Sequence, residues 1–376
     1  MTLRLSALCW SCALLLGFLG CKQPEGQGAD HSAASQPTAA ATPQPPAAPA
    51  LPLPAAGPQP AAAAPDAPEA RAQLRVGPDE PEVQLDAERF PGSAFFVRQI
   101  LSELAVARMH ALKPVGSTST VFRANLDAPF RAAFKAATRQ RPRGPTAEVA
   151  AYRLARLLGL SNVPPAVLRR VPKLTLQREL EARSAPAWPQ ISERLLTDAK
   201  GEVEGAAIYW IDGLRDLPMS ERAERDALLR ALQQESPLHD DKPPLRTQLS
   251  SLIVFDWLIG NTDRWSGANV KGDAAGQLLY MRDHDFGFGR LGAEQEQKLF
   301  ALVQQTERFS HSLIARIRGL TRARFERELA QDPNFPRTPA RIDEQAMTGV
   351  FTRRDKLLAH IDSLIERYGS SSVLSL

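Results

Sequence analysis

The sequence predicts an α+β domain of two lobes, the first rich in strands and the second mostly helical, and three observations lead there. The chain has 376 residues, and about 290 of them follow a long low-complexity stretch that ends near residue 85, enough for one two-lobed domain with a sizeable core. Within that body, strand-like runs and one helix come first and helical patterns dominate afterwards. All three cysteines lie at or before Cys21, so neither disulfides nor a Cys-ligated zinc can hold the body together. A hydrophobic fraction of 43% and a charged fraction of 23% are ordinary for a globular protein and exclude a bundle of membrane spans.

Taken in order, residues 1–21 read as an export signal. Arg4 supplies a short positive region, and Leu5 to Leu19 is apolar but shorter than the roughly 20 residues a transmembrane helix needs. The run ends Phe18-Leu19-Gly20-Cys21, which resembles a bacterial lipobox with Phe18 where leucine is usual. That resemblance implies an acylated Cys21, a lipid anchor in a bilayer and an exported protein of a bacterial envelope. Residues 22–85 hold 14 of the 31 prolines, long alanine runs and no aromatic residue. Such a composition cannot bury enough apolar surface to offset its ordering entropy, so a disordered, extended tether is expected.

From residue 86 to 376 the folded domain begins with apolar residues at helical spacing over Phe95–Leu112. Gly116-Ser117-Thr118-Ser119-Thr120 is a small-residue turn entering a strand, and Arg131–Thr138 reads as a second strand that carries Lys135. A helix from about Thr146, its expected N-cap, to Leu160 carries Glu148. Val163-Pro164-Pro165 forces extension, and Ile208–Ile211 is a short apolar strand. Helices are expected over 219–235, 246–259, 296–318, 321–331, 340–348 and 350–368. The arginines between Arg316 and Arg327 form a solvated helix face, without the aromatic interleaving of a nucleic-acid surface, and no nucleic acid is expected as a partner.

The chemistry concentrates in two segments. An apolar helix ends at Gly260, and the loop Asn261-Thr262-Asp263-Arg264 follows, with Asn269 a turn later. A strand then ends in Asp283-His284-Asp285, followed by Phe286-Gly287-Phe288-Gly289; both phenylalanines are expected in the core. Phosphoryl transfer needs one carboxylate to accept the acceptor's proton, an Asn and an Asp to hold Mg²⁺ on the phosphates, and a lysine–glutamate pair from a second lobe. No Gly-x-Ser-x-Gly, no His-Glu-x-x-His and no thiol in the body support a hydrolase.

Gly260-Asn261-Thr262-Asp263-Arg264, followed by Asp283 and Gly287-Phe288-Gly289, resembles the secreted Golgi casein kinase / Four-jointed group, related to HipA-type toxin kinases and phosphatidylinositol kinases. The likeness extends upstream through Lys135, Glu148 and Ala150-Ala151-Tyr152-Arg153-Leu154 to Val163-Pro164-Pro165, and so covers about 115–290. It implies a protein-kinase-like domain with an N-lobe of about 86–205 and a C-lobe of about 206–376. By the same resemblance Asp263 is the catalytic base, Lys135 binds phosphate with Glu148 as its partner, and Gly116, Ser117, Thr118, Ser119 and Thr120 cover the phosphates. Asn269 holds metal together with Asp283 or Asp285, the run 283–289 fitting Asp283 better. Asn269 stands six residues after Asp263 where relatives place the metal-binding group five after, and Trp265 stands where histidine is commoner. The function implied is an ATP- and Mg²⁺- or Mn²⁺-dependent phosphotransferase acting on a hydroxyl of a protein or glycan. A nucleotide-binding pseudokinase or scaffold, and an AMP transferase on the same fold, are the alternatives.

Overall fold

The computed structural model describes residues 88–376 apart from 117–118, 218–221, 237–242, 265–268 and 339–341, all within the larger of the chain's two compact units. The expected signal and Cys21, the expected tether, and Ser117 and Thr118 lie outside the described residues.

Helix α1 (Val97–Val106) buries Val97, Ile100 and Leu104 and ends at Ala107. The helix expected to continue to Leu112 stops there because the chain turns into strand β1 (Met109–Val115), which pairs antiparallel with β2 (Val121–Leu126). The register slips between His110 and Lys113, so the strand lacks the clean alternation that would mark it in sequence. Strand β3 (Arg131–Ala136) pairs with β2. Helix α2 (Gly144–Leu157) follows, with Pro145 in its first turn, where a missing N–H costs nothing. Its N-cap is Arg143; Thr146, expected there, sits inside the helix.

Strand β4 (Ala166–Pro172), helices α3 (Lys173–Arg178) and α4 (Trp188–Arg194), and strand β5 (Glu202–Tyr209) complete the first part. The expected strand at 208–211 is the end of this longer one. Among the described residues five antiparallel strands form one sheet in the order β1-β2-β3-β5-β4. Gly205 of β5 faces Phe134 of β3 so closely that any Cβ would meet the ring at 2.3 Å.

The second part is mostly helical: α5 (Arg222–Arg230), α6 (Pro243–Ile259), α7 (Ala293–Gln304), α8 (His311–Arg318), α9 (Arg322–Leu329), α10 (Glu344–Tyr368) and α11 (Ser370–Val373). A small sheet joins β6 (Arg215–Asp216), which precedes α5, to β7 (Lys271–Gly272) and β8 (Leu279–Tyr280), which lie between α6 and α7 in sequence. The expected helix 296–318 is two helices, α8 starting afresh where the Ser310 hydroxyl accepts from the Leu313 N–H. The two helices expected over 340–368 are one, capped by Asp343, and Gly349 lies within it, where a Cβ would come within 3.1 Å of the Arg353 side chain.

Helix α2 is buried along its whole first twelve residues, between the sheet and α9. Arg153 and Arg156 on it reach buried Glu328 of α9 at 3.4 and 3.0 Å. Among the described residues no helix is long and apolar enough to cross a membrane.

Candidate active site

The upper half of the site is built on adjoining elements of the first part. Lys135 on β3 points away from the solvent face and is only 3% exposed. Its ammonium is 2.5 Å from Glu148 Oε1 on α2, 2.9 Å from Asp283 Oδ1 and 3.4 Å from Asp285 Oδ2. Burial disfavours the lysine's charge, but the three carboxylates outweigh it and push its pKa up. Burial pushes the Glu148 carboxyl up, against the pull of Lys135. The same Glu148 oxygen accepts the backbone N–H of His284 at 3.0 Å, which ties α2 to the segment after β8.

The lower half is two loops stitched together. Helix α6 ends at Gly260, whose φ of +69° is the left-handed conformation that lets a helix terminate without strain. Asn261, fully buried, accepts from the Asp263 N–H at 3.2 Å and donates to the Asp283 carbonyl at 3.2 Å, so it fixes both functional segments at once. Asn269 donates to the Asp263 carbonyl at 2.9 Å and to its Oδ2 at 3.0 Å, which orients the half-buried Asp263 carboxylate.

Beneath these loops lies Arg264, 1% exposed. It makes a two-pronged pair with Asp256 of α6 (2.9 and 3.1 Å) and donates to the carbonyls of Asn269 and Arg282. The nitrogen that meets Asp256 Oδ1 also lies 3.2 Å from His284 Nδ1. A guanidinium can only donate, so Nδ1 accepts and His284 carries its proton on Nε2, which donates to the Met281 carbonyl at 3.0 Å. Burial and the Arg264 charge hold the His284 pKa well below the usual histidine value, in keeping with a neutral ring.

Asp283 adopts φ +62°, rare for a non-glycine residue and the kind of strain that collects at functional sites. Burial favours its neutral form, yet Lys135 and Arg282 together hold its carboxyl well below the usual range. Asp285 shares its Oδ2 between Lys135 and two further groups. Its side chain accepts from Ser119 Oγ at 2.9 Å and lies 3.5 Å from Arg141, which bridges the loop after β1 to the second part.

A cleft of about 750 Å³ opens between the halves. Gly116, Ser119, Lys135, Glu148, Asn269 and Asp283 all line it, and Val121, Ala133, Ile208, Tyr209, Ile211 and Leu214 supply an apolar end. Asp285 lines a neighbouring cavity of about 500 Å³ with Thr262, Arg141 and Phe286. Phe286 is 38% exposed under the Arg141 guanidinium, 3.9 Å from the ring centre, so the expectation that it joins the core fails; Phe288, 2% exposed, does join it. Glu148, Asp283 and Asp285 each place one carboxylate oxygen within 4.8 Å of the others, an all-oxygen donor set suited to a hard divalent cation. Asp256, Arg282 and the brace made by Arg264 carry no pattern that marks them in the sequence.

A family model of the Four-jointed box protein middle domain matches residues 129–287. Comparison with curated proteins gives no match. Among solved structures, the Golgi casein kinase is similar with a TM-score of 0.56 and 16% identity over 74% of this chain and 77% of that one. The Golgi casein kinase with Mn/ADP bound gives 0.55 and 16% over 74% and 78%. The structure of hydra Fam20 with sugar gives 0.58 and 17% over 77% of this chain and 96% of that one. At these identities the likeness shows the fold: a kinase-like fold of the Fam20 and Four-jointed kind.

Proposed function

On the kinase-like fold that this chain shares with the Golgi casein kinase and hydra Fam20, we propose that the protein is an exported phosphotransferase, dependent on ATP and Mg²⁺ or Mn²⁺, that acts on a hydroxyl of a protein or glycan. One observation carries the reading. A lysine buried to 3% exposure is held 2.5 Å from a helix glutamate and 2.9 Å from an aspartate across a cleft large enough for a nucleotide. The neighbour solved with Mn/ADP supports the nucleotide and metal parts of it.

In this mechanism Lys135, fixed by Glu148, orients the phosphates, and Ser119 and Gly116 cover them. Asp263 takes the proton of the acceptor hydroxyl as that oxygen bonds to the γ-phosphorus and the bond to the departing ADP oxygen breaks. Asn269 and Asp283, with Asp285 in reach, would hold the divalent ion, which supplies charge neutralisation on the phosphates. Catalysis is then mainly positioning and electrostatic stabilisation. The location rests on the apolar run ending at Cys21, which supports export and a lipid anchor in a bacterial envelope.

A second reading, a nucleotide-binding scaffold that transfers nothing, is favoured by Asn269, whose amide is engaged by Asp263. The full chain, incubated with γ-labelled ATP and Mn²⁺ or Mg²⁺ beside casein and glycan acceptors, separates the two. Transfer is expected from the wild type, with Asp263→Ala losing about 10²–10⁴-fold in rate while still binding nucleotide. Equal inertness of both proteins, with ATP bound, would establish the scaffold. A parallel incubation with α-labelled ATP in which only that label reaches an acceptor would establish an AMP transferase.

A further inference from the structure

Arg282 had no part in the sequence reading, yet its side chain lines the nucleotide-sized cleft beside Lys135, Asn269 and Asp283. On a regular strand, residues 282 and 283 would face opposite sides. The left-handed turn at Asp283 (φ +62°) breaks that alternation and brings both side chains into the one cavity. The main chain there is pinned from below, because Arg264 donates to the Arg282 carbonyl. The guanidinium is one-third exposed, and among the described residues its partner is Asp283, whose Oδ2 it meets at 2.6 Å.

Charge balance explains why such a residue is needed. Lys135 already faces three carboxylates within 3.4 Å, so it is poorly able to offset a polyphosphate by itself. Lys271, the other lysine on the cleft wall, is paired with Asp216. Arg282 therefore combines a cavity-facing cation with a planar set of donors that matches phosphate oxygens.

We propose that Arg282 is a phosphate-binding residue of the nucleotide site, turning from Asp283 to the phosphate oxygens when nucleotide enters. This rests on the nucleotide reading given above. Calorimetric titration of the full chain with ATP, ADP and adenosine in the presence of Mn²⁺, on wild type, Arg282→Ala and Arg282→Lys, tests it. Arg282→Ala should weaken ATP by about 10- to 100-fold and ADP nearly as much, as expected for a charge-assisted hydrogen bond. Adenosine should bind both proteins alike, and Arg282→Lys should recover part of the loss. Unchanged ATP affinity in Arg282→Ala, or an equal loss for ATP and adenosine, overturns the role of Arg282 and leaves the nucleotide site standing. A wild type that binds neither ATP nor adenosine overturns the nucleotide reading, and the role of Arg282 with it.

Discussion

Two buried cations, one on each side of the cleft, keep very different company. Arg264, below, is satisfied by groups of its own neighbourhood: Asp256 two helical turns back, two main-chain carbonyls and the ring of His284. Lys135, above, is surrounded by carboxylates from other elements, Glu148 on α2 and Asp283 and Asp285 beyond β8. A buried charge whose donors are all matched by fixed local acceptors acts as a brace. One whose partners are carboxylates on a cavity wall can exchange them for a ligand. The same cost of burial is met in both places, but only the second leaves something for chemistry.

The comparison can be broken most forcefully at the brace. Asp256→Asn keeps the shape and removes the counter-charge, leaving Arg264 buried and unmatched, so the domain should lose about 3–5 kcal/mol in denaturant unfolding. A loss under about 1 kcal/mol, the range of surface pairs, would mean that Arg264 is not a structural keystone. Above the cleft the expectation reverses. Lys135→Ala leaves Glu148, Asp283 and Asp285 clustered without their cation, and Mn²⁺ alone should then bind about tenfold more tightly than to wild type, read as a larger thermal shift. No gain would show that the three carboxylates do not form a cation site.

The smallest effect concerns acid. The Asp283 carboxyl lies below its usual range in the folded protein, so the native state binds fewer protons there than the unfolded chain. Its contribution to stability is complete above the unfolded value, about 4, and is lost as pH falls below that. Metal-free wild type should therefore lose more stability than Asp283→Asn between roughly pH 5 and pH 3. Parallel acid limbs for the two proteins would remove Asp283 from the charge cluster.

Much of the upper half was legible in the sequence. Lys135 and Glu148 stand thirteen residues apart, one in a strand-like run and one just inside a helix, and the fold brings them to 2.5 Å. Asp263 and Asp283 were visible because each sits beside a glycine-marked end of an apolar run. The brace was not legible, since half of its partners are main-chain carbonyls with no side-chain signature and Asp256 lies within the otherwise apolar run Leu252 to Ile259. Strand β1 was hidden for a related reason: its irregular register breaks the alternation, and the period of α1 runs on into it. Phe286 misled because a large apolar residue just after a strand-like run suggests the core, whereas the Arg141 guanidinium gives it a partner at the surface.

Helix α2 carries a mechanical consequence. A rod buried along twelve consecutive residues is clamped to α9 through Arg153, Arg156 and Glu328, so it could swing only by breaking that clamp. Withdrawing Glu148 as a throttle would therefore cost the buried pairs to Glu328 as well as its own contact with Lys135. Control that leaves the clamp intact falls to the rim of the cleft, where Gly116 and Ser119 stand, while the axle behind it stays still.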